Sequence, residues 1–393
     1  MLATFSLMMM AGCNPSKETT VDIVIENAQN AAAQYTLMTD IIEKNGEFIN
    51  PRTILEDGSI WYVPIDDWCS GFFPGSMWYL YELTGDEKWK NFGEKYTVEL
   101  DSVKHLKWHH DVGFMIGGSY LNGYRIGDKK DYKEVIVTAA QSLATRFRPT
   151  AKIIQSWDIQ GWQAERGWEC PVIIDNMMNL ELMFEAFKLS GDSTFYNIAV
   201  DHANTTLANH FREDNSCYHV VDYSLADGSV RNKHTAQGYA HESSWARGQA
   251  WAIYGYTMMY RETGRKEFLE QAENVAKMLL SRLPYDGIPF WDFDYPEIPY
   301  TYKDASAGAV MASAFVELST LTKDKKLARK CLAKAEKQIR ALASNEYLAP
   351  VGENGNFLLM HSVGNLNNMS EVDSPLIYAD YYFLEALYRY INL

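Results

Sequence analysis

Along most of the chain apolar residues recur every three or four positions, the period of a helix with one buried face. In 268–283, FLEQAENVAKMLLSRL, the residues Phe268, Ala272, Val275, Ala276 and Leu279 share one face and charged residues lie between them. Segments of this charged, one-faced kind are predicted near 21–44, 88–104, 131–147, 194–211, 266–283 and 325–343. Alternating with them are six segments poorer in charge and richer in Gly, Ala, Met and Tyr, which begin near 72, 113, 175, 248, 305 and 376. A helix that is apolar nearly all round is a buried one. The second set is therefore expected to form an inner ring and the first an outer ring, an all-α (α/α)6 barrel, or six-hairpin toroid. A tandem solenoid is the competing arrangement, but it would call for more uniform repeats.

Five turn sequences mark the hairpins: LTGDEKW (83–89), IGDKKDY (126–132), LSGDSTFY (189–196), ETGRKEFL (262–269) and LTKDKKLA (321–328). Four have a glycine where the first helix should stop, and in three an Asp follows as a candidate cap for the second. The loops entering the inner segments would gather at one end of such a ring. They read DDWCSGFFPG (66–75), KWHHDVGFM (107–115), VIIDNMMN (172–179), SSWARGQAW (243–251), YKDASAG (302–308) and EVDSPLIYADYY (371–382). Five carry an Asp and the fourth carries Arg247 instead, so together they predict one acidic, aromatic-lined pocket with a single guanidinium. Asp175 stands between the apolar run 172–174 and a helix start. It can be a helix N-cap, the commoner role, or a carboxyl whose pKa its apolar neighbours raise toward the range of a general acid/base.

Composition narrows the partners. The 393 residues hold 51 Asp and Glu against 36 Lys and Arg, a net charge of −15, which argues against nucleic acid. Eleven Trp and 25 Tyr are many for this length and fit surfaces that stack on sugar, although most such rings are core. Residues 2–12 form a Met-rich apolar run too short to span a bilayer, ending in Met10-Ala11-Gly12-Cys13. This has the form of a bacterial lipoprotein signal, although no Lys or Arg precedes it. Residues 1–20 are then signal and tether, with Cys13 as the lipid attachment site, and 21–393 are the toroidal domain. The lipid would be the one membrane contact, in the bacterial cell envelope. A tether with Glu18 as its lone acidic residue points to the periplasmic face. Cys69, Cys170, Cys217 and Cys331 are widely spaced and indicate neither a zinc site nor a disulfide framework.

The motifs DWCSGFFPG, HHDVGF, IQSWD, IIDNMMN, RGQAW and LIYADYY, taken in this order from about Asp66 to Tyr382, resemble the unsaturated glucuronyl hydrolases of glycoside hydrolase family 88. The resemblance implies an α/α six-hairpin barrel that hydrates the C4=C5 double bond of a terminal unsaturated uronic acid, on oligosaccharides left by polysaccharide lyases. It implies Asp175 as general acid/base and Asp111 as the second essential carboxylate, which would raise the pKa of the first. For substrate binding it implies Trp68, His110, Trp157, His219, Gln237, Arg247 and Trp251, with His361 near the leaving sugar. Arg247 would meet a charged substrate group, and a buried pair with a pocket Asp is its bland alternative. No metal or other cofactor is implied, and His109 beside His110 is not read as a metal site. The stretch Asn365, Asn367, Asn368, Ser370, Glu371 lacks Lys and Arg, and Glu371 would oppose a sulfate if it faced the pocket. Chondroitin- or hyaluronan-type fragments are expected on frequency alone. Three other readings stay open: an unsaturated rhamnogalacturonyl hydrolase, an inverting hydrolase of saturated sugars using Asp111 and Asp175, and a sugar-binding lipoprotein without turnover. The sequence is silent on oligomeric state.

Overall fold

The computed structural model describes residues 19–46 and 50–393, so Cys13 and the predicted signal lie outside the described residues. In chain order the principal helices are α1 (Thr20–Asn45), α2 (Phe72–Thr84), α3 (Glu87–Val98), α4 (Val112–Ile116, continued by Gly117–Leu121 and Asn122–Arg125), α5 (Lys133–Ala144) and α6 (Asn176–Ser190). They continue as α7 (Ser193–Asn209), α8 (Ala246–Thr263), α9 (Lys266–Arg282), α10 (Ala305–Leu321), α11 (Lys325–Leu342) and α12 (Ile377–Ile391). Each even-numbered helix packs on the next, and α12 returns to α2, which closes the inner ring. The odd-numbered helices lie outside it, as their charged faces require. Asp86, Asp192 and Asp324 accept backbone N–H groups at the starts of α3, α7 and α11, and Gly85, Gly191 and Gly264 end α2, α6 and α8 in the left-handed conformation. The turn at Gly127-Asp128 departs from this pattern. There Asp128 itself takes a positive φ of 56°, and Tyr132 precedes α5 without a side-chain cap.

Two features tighten the ring. Helices α2 and α4 approach so closely that a Cβ on Gly71 would lie 2.2 Å from the Met115 carbonyl oxygen, and one on Gly118 would lie 2.5 Å from that of Gly71. Only glycine fits such contacts. From the middle of the inner helices toward the ends remote from the entry loops, a polar network draws on all six. Tyr79 and Tyr254 both donate to Glu385, as does Ser313, while Arg125 pairs with Glu181 and Glu185, and Arg261 and Arg389 pair with Glu317.

Short strands decorate the opposite end, which the helical periodicity does not predict. The ribbon β1 (Asn50–Ile54) with β2 (Ile60–Val63) precedes α2; β3 (Phe147–Arg148), β4 (Ile153–Ile154) and β5 (Pro171–Ile173) precede α6. Strands β6 (Val220–Tyr223) and β7 (Val230–His234) join β5 in a three-stranded sheet before α8, and β8 (Ser362–Asn365) pairs with β9 (Ser370–Ser374) before α12. At two to five residues each they are too short to show an alternating pattern. Among the described residues no helix is long and apolar enough to cross a membrane.

Candidate active site

Asp175 and Asp111 stand one residue before α6 and α4, neighbours in the inner ring. Neither caps its helix: Asp175 has helical φ and ψ of −57° and −27°, and neither side chain accepts a first-turn N–H. The cap reading of both residues is thereby set aside. Asp175 Oδ2 is buried with no hydrogen-bond partner, an expensive state for a carboxylate. Burial pushes the Asp175 carboxyl up to about 7, with the Arg247 charge the largest of the effects working against this. Asp111 Oδ1 accepts a 3.0 Å hydrogen bond from Asn179 Nδ2, and Asn179 Oδ1 accepts from the Phe114 N–H at 3.0 Å. One amide thus locks α6 to the first turn of α4 and orients the carboxyl between them. Burial raises Asp111 to about 8, the Asn179 bond lowers it, and the charges of Asp175 and Asp67 raise it further. The sequence reading had the second carboxylate lifting the pKa of the first; burial is the main cause for both, and the repulsion falls on Asp111.

Strand pairing delivers a third group. Ile173 lies opposite Val220, and the Ile174 N–H donates to the His219 carbonyl, so His219 sits beside Asp175 with Nε2 3.8 Å from Oδ2. Its Nδ1 accepts the backbone N–H groups of Ala236 and Gln237, at 3.1 and 3.3 Å. An acceptor at Nδ1 places the ring proton on Nε2, aimed at the carboxyl. Burial holds the imidazole neutral, its pKa pulled down to about 3.

Asp175 and Asp111 line a cavity of about 280 Å3, whereas His219, expected among the substrate-binding residues, lies beside Asp175 without lining it. Trp68, His110, Asp111, Trp157, Asp175, Gln237 and Arg247 all line it, as the sequence reading required. Trp68 packs against Phe72, Phe114 and Tyr378, and Trp157 stacks on Trp168. Arg247 reaches the wall already engaged: it donates to Asp304 Oδ2 at 3.0 Å and to the Val363 and Gly364 carbonyls at 2.5 and 2.7 Å. The bland alternative for Arg247 therefore holds, yet its charge still faces Asp175. His109, His110 and Asp111 present ligand-type atoms within 4.8 Å of one another, but His109 Nδ1 accepts the Asp111 N–H.

The sequence profile of Glycosyl Hydrolase Family 88 matches residues 35–387. The chain belongs to this family. It is 45% identical over 374 residues to an unsaturated glucuronyl hydrolase of Formosa agariphila, covering 93% of this chain and 92% of that protein. Its fold matches the crystal structure of an unsaturated glucuronyl hydrolase specific for heparin with a TM-score of 0.88 and 42% identity, covering 94% of this chain and 97% of that one. It also matches a mutant unsaturated glucuronyl hydrolase from Streptococcus agalactiae complexed with dGlcA-GalNAc6S, with a TM-score of 0.77 and 27% identity over 95% of this chain and 92% of that one.

Against the family expectation, His361 is not brought to the cavity. Its Nδ1 pairs with Asp373 Oδ1 at 2.7 Å, and 42% of its side chain is exposed. Trp251 does not line the cavity either; it is buried against Phe114 and Tyr382, and its indole modestly favours the Asp175 carboxylate. The cavity has a second guanidinium, contrary to the single one expected. Arg52, on β1, donates through Nε and Nη2 to both oxygens of Glu371, at 2.6 and 2.9 Å, and through Nη1 to Asp67 at 2.9 Å. Glu371 does face the cavity, but it is neutralised there by this fork. No motif flags Arg52, and Asn179 could have been found only from its i, i+4 spacing after Asp175.

Proposed function

We propose that the protein removes the terminal C4=C5 unsaturated uronic acid from lyase-generated glycosaminoglycan oligosaccharides by hydrating the vinyl ether. The carrying observation is the pair of buried, uncapped carboxyls whose pKa values sit at about 7 and about 8. Direct cleavage of a saturated glycoside asks for one carboxyl firmly ionised while the other is protonated. Here neither is firmly ionised at neutral pH, which suits one group that gives a proton and takes it back.

In this reading Asp175 donates its proton to C4, and the positive charge that builds at C5 and the ring oxygen is met by the carboxylate left behind. Water adds its oxygen to C5 and returns a proton to Asp175, so one water is consumed and the carboxyl is restored. The C5 hemiketal then opens, freeing the C1 centre to expel the neighbouring sugar. The His219 Nε2–H steadies the transient Asp175 carboxylate, and Asp111, kept neutral by burial and oriented by Asn179, hydrogen-bonds ring hydroxyls. Trp68 and Trp157 supply the faces on which the sugars stack, and Gln237 and Arg247 complete the polar wall.

The 42% identical structure named as specific for heparin supports a heparin-type disaccharide beside the chondroitin and hyaluronan types expected above. The deciding experiment follows the absorbance of the conjugated uronic acid with unsaturated disaccharides from chondroitin, hyaluronan, heparin and rhamnogalacturonan. Decay with the native protein and none with Asp175→Asn is expected for at least one glycosaminoglycan product. Decay confined to rhamnogalacturonan moves the protein to the rhamnogalacturonyl hydrolases, and no decay with any of the four defeats the proposal. A lipid on Cys13 would place the enzyme at the periplasmic face of the envelope, where lyase products arrive. Recovery of the full-length protein from the cytoplasmic fraction contradicts that placement.

A further inference from the structure

Three buried polar atoms around the Asp175 carboxyl make no hydrogen bond: Asp175 Oδ2, His219 Nε2 and Trp251 Nε1. One is an acceptor and the other two are donors. A buried donor without an acceptor is costly, and most buried indoles find a partner for their N–H. His219 stands just before β6, with Nε2 3.8 Å from Oδ2 and its ring packed on Trp245, centroids 4.5 Å apart. Trp251 belongs to α8, one turn after Arg247. It is 1% exposed, and Phe114 and Tyr382 hold its ring edge-on, with centroids 5.3 and 5.4 Å away.

A sugar contact does not account for Trp251, because Phe114 lines the cavity and Trp251 does not. Packing does not account for it either, since a phenyl ring would pack there without bringing in a polar group. What the N–H does have is a neighbour: the indole favours the Asp175 carboxylate over the carboxyl. While Asp175 holds its proton, its oxygens are weak acceptors and both donors stay idle. Once the proton has gone to C4, each donor can make a charge-assisted bond, and a movement of roughly 1 Å brings His219 Nε2 into range.

We propose that Trp251 is a positioning residue for Asp175, its indole N–H idle beside the protonated carboxyl and engaged when the proton has left. The inference rests on the hydrolase reading above. An interaction made only as the proton moves lowers the barrier without tightening substrate binding.

The test is Trp251→Phe, which keeps a ring and removes the N–H, assayed as a function of pH by loss of the conjugated absorbance on an unsaturated disaccharide that the native protein turns over. Without this donor Asp175 holds its proton more firmly, so the alkaline limb of kcat/KM is expected to move up by about one pH unit. The same lost interaction slows proton delivery: kcat is expected to fall about fivefold to tenfold, with KM within about twofold of native. The charged and titratable groups facing Asp175 are Asp111 on α4, the Cys217 thiol and His219 ahead of β6, and Arg247 on α8. The variant leaves all four in place, so a moved limb belongs to the indole. Trp251→Met, a flexible filler that also lacks the N–H, is read in the same way, and urea unfolding of both variants gauges the lost packing. An alkaline limb that stays put in both variants overturns the inference whatever happens to kcat. A rise in KM with kcat kept also overturns it, by making Trp251 a sugar contact. Failure of the native protein on every unsaturated disaccharide would instead remove the underlying hydrolase reading.

Discussion

Asp175→Asn is expected to abolish turnover and, above neutral pH, to stabilise the fold. The reasoning follows from the cost of keeping a carboxylate where its Oδ2 finds no hydrogen bond. Below about pH 4 this carboxyl is protonated in both the folded and the unfolded chain, and it makes no difference to stability. Between the ordinary value of 3.8 and about 7 the unfolded chain gives up the proton while the folded chain keeps it, so rising pH favours unfolding. Above pH 7 both are ionised and the penalty is complete. At about 1.4 kcal/mol per pH unit this window sets a ceiling of about 4 kcal/mol. The side chain is 14% exposed, and water at the cavity mouth brings the expectation to about 2–4 kcal/mol. Asn has nearly the same shape and does not ionise, so the variant escapes the penalty. Urea unfolding followed by tryptophan fluorescence at pH 4.5 and pH 8 measures it. The variant should be more stable than the native protein at pH 8, with most of the gap gone at pH 4.5. Equal or lower stability of the variant at pH 8, or the same gap at both pH values, would refute the argument.

Three further expectations concern the same cavity. In the proposed mechanism Asp175 holds its proton when the cycle begins, so kcat/KM should fall about tenfold per pH unit above about pH 7; a plateau reaching pH 9 would contradict this. Asn179→Ala leaves the Phe114 N–H and Asp111 without their shared partner, and should cost about 2–4 kcal/mol of stability in denaturant titration and about 100-fold in kcat/KM. Arg52→Met uncovers Glu371, and should raise KM about tenfold with a smaller change in kcat; Arg52→Met/Glu371→Gln should recover most of the loss if the pair acts as a unit.

The ring was legible because burial leaves a periodic record. The contrast between the charged face of 268–283 and the apolar surround of 305–321 is what separates outer from inner helices, and Gly85, Gly191, Gly264 and Asp324 marked four of the five hairpin turns. The reading slipped where a local conformation is decided by distant contacts. Asp128 has the letters of a cap but a left-handed backbone, and the π-helical turn at Gly117–Leu121 interrupts α4 with no sequence sign. The expected ring of acidic loop residues also dispersed. Asp111 and Asp175 face the cavity, whereas Asp304 caps α10 and holds Arg247, Asp380 accepts the Leu358 and Leu359 N–H groups, and Asp373 pairs with His361. Residue type alone does not tell a carboxylate that serves the fold from one left without a partner. Arg52 was invisible for a similar reason: it comes from a five-residue strand far from every motif, and only the closed ring brings it to Glu371.

The central claim is that Asp175 protonates C4 of the unsaturated ring, and product analysis in deuterated water tests it most directly. A disaccharide consumed in D2O by the native protein should yield a uronic acid product carrying one deuterium at C4, with the conjugated absorbance lost in step and Asp175→Asn inert. Separation of the two sugars with the double bond intact and no deuterium at C4 would contradict the account and leave direct glycosidic cleavage in its place.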